Sequence, residues 1–398
     1  MARSKAAGWL SAACSAATPS TGVVSIPFPN NQTSTQMKPK FLFLFFVLLL
    51  LAAALSACSN GAVIASSWPG VTLGEDVAYI AHAQHLYAVR TSNGVQMWRY
   101  PEKATSNISF YAPPAITPDE QIIVGGYDHV LYSLNANGQV NWQFSEASDR
   151  YIAPPLATEK GIFAPNADGK LYALDLNGKP LWTPFKTGGP LWAPPVTDNL
   201  CHCLYLSSMD HYLYAIDPES GAQIWKTEDL GGAIVSAPAL SADNILYLGT
   251  FGSEMLALEA KNGQILWRKP TLGWVWSSPA IDEGRLYFGD LSGNFYAFDA
   301  ASGEQLWKIP PEKENVAIAS TPSLKDGIIY FTTEAGVLFA VDTEGNIQWS
   351  QTIKGKLYAP PLSQGELLLV APSESEDILV ALNPEGAIKW SFNPNPQK

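Results

Sequence analysis

From about residue 66 onward, short apolar runs alternate with polar, glycine-containing breaks, and every run is interrupted before a helix could reach three turns. The most regular run reads Leu-Tyr-Ala followed by an aliphatic, as in Leu86–Val89, Leu171–Leu174 and Leu213–Ile216, with the variants Leu131–Leu134, Met255–Leu258, Phe295–Phe298, Leu338–Val341 and Leu379–Leu382. These segments are apolar on both faces, which predicts a strand in a sheet that is itself covered on both sides. Upstream lies a second β-rich run, seen at 122–124, 245–248, 286–288 and 328–331, and before that a segment around a proline. Downstream come a polar turn, a glycine and, four residues after the glycine, a tryptophan.

That last interval sets the period. The tryptophans are Trp98, Trp142, Trp182, Trp225, Trp267, Trp307, Trp349 and Trp390, spaced 40 to 44 residues apart, and the glycines are Gly94, Gly138, Gly178, Gly221, Gly263, Gly303, Gly345 and Gly386. A glycine at the end of a short polar loop permits positive φ where a hairpin turns. Asn135, Asp175, Asp217, Asp299, Asp342 and Asn383 open these turns, where their side chains can accept from nearby backbone N–H groups; Arg90 and Glu259 depart from the rule.

Four short strands per unit of about 40 residues, repeated eight times, predict an all-β, eight-bladed β-propeller with four antiparallel strands per blade over residues 68–398. In each blade the first strand, near the prolines, is innermost and the fourth, with the tryptophan, is outermost. WD repeats share the period, but their Gly-His and Trp-Asp signatures are missing. The block Asp-x-x-x-Gly-x-x-x-Trp, as in Asp217 to Trp225 and Asp299 to Trp307, resembles the tryptophan-docking repeat of pyrroloquinoline-quinone (PQQ)-type propellers. The resemblance implies that the eight indoles are structural, each wedged between neighbouring blades.

The segment before the repeats has a different logic. Met37-Lys38-Pro39-Lys40 is basic, residues 41–55 are apolar, and Leu55-Ser56-Ala57-Cys58 follows. Fifteen apolar residues fall short of the roughly 20 that span a bilayer, so the layout reads as a cleaved signal peptide, residues 37–57. The tetrapeptide resembles a bacterial lipobox, which implies lipidation of Cys58, a tether over 58–67 and an extracytoplasmic protein held at the membrane. In a two-membrane cell Ser59 rather than Asp after the cysteine points to the outer membrane, since an Asp there resembles an inner-membrane retention signal; in a single-membrane cell the protein is expected at the cell surface. Residues 1–36, aperiodic and rich in Ala, Ser and Thr, read as an extension outside the fold.

Charge removes one class of partner. The chain carries 24 Lys and Arg against 36 Asp and Glu, a net −12; residues 1–57 hold four basic and no acidic residues, leaving −16 without them. Nucleic acid is therefore not an expected ligand. The fold resemblance raises PQQ and calcium, but the quinone enzymes' adjacent cysteine pair is absent, no Cys-x-x-Cys-His haem site exists, and no acidic cluster has calcium-loop spacing. No metal site is expected. The histidines His82, His85, His129, His202 and His211 read as solvated blade-loop residues, and Cys201 and Cys203 as structural or unpaired thiols ahead of a disulfide or a metal site.

One feature lies outside the blade pattern. Three residues before the prolines at 114, 195, 279 and 361 stand Tyr111, Trp192, Trp276 and Tyr358, while Ile152, Val235 and Ala319 fill the alternating places and Ser66 the first. These aromatics predict a collar at one mouth of the channel, able to hold a flat ligand or an extended peptide; alternation of large and small side chains to fit the wedge between blades is the packing alternative. Repeats and lipobox together resemble the BamB family of propeller lipoproteins, implying a non-catalytic, monomeric protein-interaction scaffold whose partners are envelope proteins of the β-barrel assembly machinery. A PQQ- and calcium-dependent dehydrogenase and a small-ligand or glycan sensor are the alternatives.

Overall fold

The computed structural model describes residues 69–198, 203–313 and 316–395. Cys58, the expected signal peptide and tether, and Ser66 lie outside the described residues, as do Cys201 and His202. Eight four-stranded antiparallel sheets follow one another along the chain, giving blades 1 to 8 at residues 70–100, 115–144, 156–186, 196–226, 239–270, 280–309, 323–352 and 362–392. The protein is an all-β, eight-bladed propeller, with no helix among the described residues. Each blade runs from inside to outside in sequence order. The innermost strands of neighbouring blades approach one another, as where Thr72 Oγ1 donates to Pro114 O at 2.5 Å.

The doubly apolar runs form the third strands and are buried throughout in Leu131–Leu134, Leu213–Ile216 and Leu379–Leu382. Their partners are the second strands, such as Ile122–Gly125 and Leu204–Ser207, equally buried. The core is divided: each of eight apolar clusters straddles one junction between adjacent blades. At roughly 1.5–3 kcal/mol for each large side chain fully buried, these junctions hold the ring together. Phe295 of blade 6 stacks on Phe331 of blade 7 with centroids 4.0 Å apart.

The glycine-to-tryptophan interval has an explanation across blades rather than within one. All eight glycines have φ between +69° and +86°. Each also lies under the indole of the preceding blade, so that a Cβ would stand 2.6 to 2.9 Å from the ring. Trp142 of blade 2 covers Gly178 of blade 3 and donates from Nε1 to Leu176 O at 3.0 Å. The indoles are half-buried.

Blade 3 departs from the expected outer strand. Its fourth strand is only Phe185–Lys186, and Trp182 lies outside it. Pro180 and Pro184 flank the tryptophan, and a residue without an N–H cannot donate to a ladder.

Candidate functional site

An up-and-down meander puts alternate connections at opposite ends of its strands. The turns between third and fourth strands, with the docking glycines, lie on one face together with the turns between first and second strands; this is the docking face. The blade-to-blade connections and the turns between second and third strands lie on the other, the connection face.

The four expected collar residues all fall on the connection face, in the segments leading into blades 2, 4, 6 and 8. Trp192 and Trp276 are brought together, with ring centroids 6.2 Å apart at 44°. They enter blades 4 and 6, so the rings meet in front of blade 5, where Val235 occupies the intervening place and is buried. Tyr111 is only 4% exposed and packs its ring against Tyr127 at 4.8 Å. Tyr358 donates to Glu334 Oε1 at 2.8 Å, and Lys356 bridges Glu334 and Glu374 at 3.5 and 3.3 Å. Burial, then the hydrogen bond to Glu334, pushes the Tyr358 phenol above its ordinary pKa.

Two neighbours of Trp276 are outside the sequence expectation. Leu272 is 67% and Trp274 50% exposed. The other large exposed apolar residues, such as Met97, Ile224, Leu266 and Leu306, lie on or beside the outermost strands around the circumference, so this connection stands apart. Its backbone is nevertheless fixed. Thr271 N donates to Ser253 O at 2.8 Å, Leu272 N to the Tyr296 hydroxyl at 3.1 Å, Val275 N to Thr250 O at 3.2 Å, and Leu291 N donates to Trp274 O at 2.8 Å. Phe251, from the adjacent turn of blade 5, stacks on Trp274 at 5.0 Å and touches Trp276 at 5.6 Å. Leu272, Trp274, Phe251, Trp276 and Trp192 thus form a continuous apolar surface held by a rigid frame, which spares a partner the ordering cost of a loose loop.

Carboxylates on the same face are occupied locally. Asp128, Asp168, Asp210 and Asp290 accept from the hydroxyls of Tyr132, Tyr172, Tyr214 and Tyr296 at 2.5 to 2.8 Å and bond turn N–H groups. Burial opposes ionisation of Asp168, but donation from Tyr172, Ser148 and Lys170 outweighs it and holds the carboxyl below the ordinary range. Calcium takes six to eight convergent oxygens. Among the described residues no group of three or more His, Cys, Asp or Glu could hold a metal ion.

Two readings of single residues are corrected. His82 and His85 are not solvated loop residues: they face each other across a tight hairpin end, His85 is buried, and its Nδ1 lies 2.7 Å from Pro101 O. His82 Nδ1 is buried without a partner, and burial, then the neighbouring His85, pushes its pKa down to about 4. The pairing arises because the turn between them is only two residues long. His129 is exposed and His211, 3.3 Å from Asp229, is partly so. The Cys203 thiol is not free: the residue is disulfide-bonded.

Comparison with known proteins adds to this geometry. The sequence matches the family model described as outer membrane protein assembly factor BamB over residues 54–193, 209–325 and 292–398. The chain belongs to the BamB family. A curated relative, the BamB of Nitrosomonas eutropha, is 27% identical over 162 residues, which cover 40% of this chain and 38% of that protein. Among solved structures, BamB from Moraxella catarrhalis is similar at 17% identity and a TM-score of 0.66, covering 76% of this chain and 92% of that one. The computationally designed Ika8 protein also reaches a TM-score of 0.66, at 12% identity over 82% and 96% of the two chains. A europium-containing methanol dehydrogenase reaches 0.60 at 14% identity, over 81% and 83%. These structural likenesses establish the fold, while the family rests on the sequence match.

Proposed function

We propose that this chain is a non-catalytic, lipid-anchored scaffold of the outer membrane that engages the β-barrel assembly machinery through its connection face. The observation that carries this reading is the BamB family match, which runs through nearly the whole propeller. The rigid apolar surface around Leu272 and Trp274 supplies a place for a partner: exposed aromatics on a fixed backbone are what protein interfaces use as anchors. The lipobox-like sequence ending in Cys58 supports an anchor that keeps the ring near the bilayer, since the nine residues Ser59–Ser67 reach roughly 30 Å.

The test is affinity purification of the intact chain from detergent-solubilised membranes. Co-purification of β-barrel assembly components, lost in Leu272→Ser/Trp274→Ser, is the expected result; recovery of the same components by that variant overturns the assignment of the surface, and their absence from the unaltered chain overturns the scaffold reading. Cys58→Ala moves the protein from the membrane to the soluble fraction if the anchor is correct. The methanol dehydrogenase likeness motivates one control: PQQ with calcium should leave the thermal midpoint unchanged and produce no dye-coupled alcohol oxidation.

A further inference from the structure

Seven of the eight blade junctions are crossed by the backbone, because each outermost strand runs on into the innermost strand of the next blade. The junction of blade 8 with blade 1 is not. Among the described residues no strand is exchanged there either: blade 1 is built from residues 70–100 and blade 8 from 362–392.

A second, independent departure falls on the same junction. Seven docking indoles donate from Nε1 to a backbone carbonyl of the following blade, at Ala136, Leu176, Pro218, Ala260, Ala300, Thr343 and Pro384, over 2.7 to 3.1 Å. Trp390 seats against Gly94 as the others do, with the ring 2.6 Å from where a Cβ would stand, yet its buried Nε1 has no partner. By position in the turn, Thr91 O is the acceptor that would correspond. The side-chain hydrogen bonds described across this junction run from Gln364 Nε2 to Gly74 O, at 2.8 Å, and to Glu75 O. What remains is apolar: Ala78, Ile80, Tyr87 and Val89 against Leu369, Leu379 and Phe392, with the Tyr87 and Phe392 rings edge-on at 5.6 Å.

We infer that the junction of blades 8 and 1 is a latch at which the ring opens reversibly while the other seven junctions stay closed. Apolar packing is non-directional and re-forms on contact, whereas opening any other junction must also break a directional indole–carbonyl bond. At this one place opening breaks no such bond and stretches no connecting peptide. Local opening below the global unfolding free energy is the ordinary behaviour of a fold's least-tied unit, and here the sequence of ties locates it. The inference does not depend on the scaffold reading.

The test is native-state hydrogen exchange on the unmodified full chain, paired with indole substitution. Amides of Val77–His82 in blade 1 and Leu379–Leu382 in blade 8 should exchange in step, at least tenfold faster than those of Leu213–Ile216 and Glu254–Glu259 on the far side of the ring; tenfold corresponds to about 1.4 kcal/mol. Trp349→Phe, which deletes a bonded N–H, should lower the urea midpoint by at least three times as much as Trp390→Phe, which deletes an unbonded one. Uniform exchange around the ring, or equal losses from the two substitutions, overturns the proposal.

Discussion

Gly178→Ala isolates the docking interaction. The position has φ +79°, and the new methyl group would stand 2.6 Å from Cδ2 and Cε3 of Trp142, so the indole must leave its seat. Three losses follow. Holding alanine in the left-handed region costs about 1–2 kcal/mol. Displacing the indole removes the Nε1 bond to Leu176 O, worth about 1 kcal/mol net. If roughly 60 Å² of apolar contact is exposed, a further ~1.5 kcal/mol is lost. Against these, alanine narrows the unfolded ensemble and returns ~0.4–1 kcal/mol. The net destabilisation is about 3 kcal/mol. Gly327→Ala is the control: its φ is +76°, but nothing lies within 4 Å of the added carbon, so only strain and the unfolded-state gain remain, about 1 kcal/mol. Urea unfolding followed by indole fluorescence should show Gly178→Ala losing at least twice as much stability as Gly327→Ala. Equal losses would mean that the glycine serves the turn alone and the indole contact contributes nothing.

Three further expectations follow from the same structure. The double replacement Leu272→Ser/Trp274→Ser should keep the fold at a cost of about 1–2 kcal/mol, because Leu272 is exposed and the loop backbone is bonded independently of both side chains, while the half-exposed Trp274 gives up its stack on Phe251. His82 titrates at about 4 in the fold against 6.5 ordinarily, so between those values the unfolded chain binds a proton that the fold refuses. Stability should therefore fall as pH drops from 6.5 towards 4, by about 3 kcal/mol in all, and His82→Gln should flatten that slope in pH-dependent denaturation; an unchanged slope refutes the assignment. Asp168 is depressed below its ordinary 3.8, so its contribution is complete above that value and is lost as pH falls through the lower, folded-state pKa. Asp168→Asn should remove that acid limb and cost stability at neutral pH, read by the same denaturation series.

The architecture was legible in the sequence because a propeller repeats its demands. Trp98 through Trp390 each face the same geometric problem, so eight copies reinforce one pattern. The partner of each indole was not legible: four residues within one blade imitate a local turn, whereas the contact joins Trp142 to Gly178 in the next blade. Trp192 and Trp276 break the small-aliphatic alternation at a fixed offset from proline, and their rings lie 6.2 Å apart, whereas Tyr111 packs on Tyr127 and Tyr358 bonds Glu334. Leu272 and Trp274 were missed because their connection has no repeated counterpart to measure against. A signal was present in Thr271-Leu272-Gly273-Trp274-Val275-Trp276, which is more apolar than a solvated connection requires. His82 and His85 were misread for the opposite reason: a polar pair beside a turn looks wet, and only the brevity of that hairpin brings it inside.

The division of labour between the two faces has an evolutionary consequence. Residues that hold the ring together are confined to junction cores and to the turns under the indoles, while the Thr271–Trp276 segment is fastened by its peptide groups and by buried Val275 and turns Leu272 and one side of Trp274 to solvent. A lineage could therefore rewrite the lettering of such connectors, or have them grafted from a cousin, and acquire a new client without renegotiating how the wheel is built.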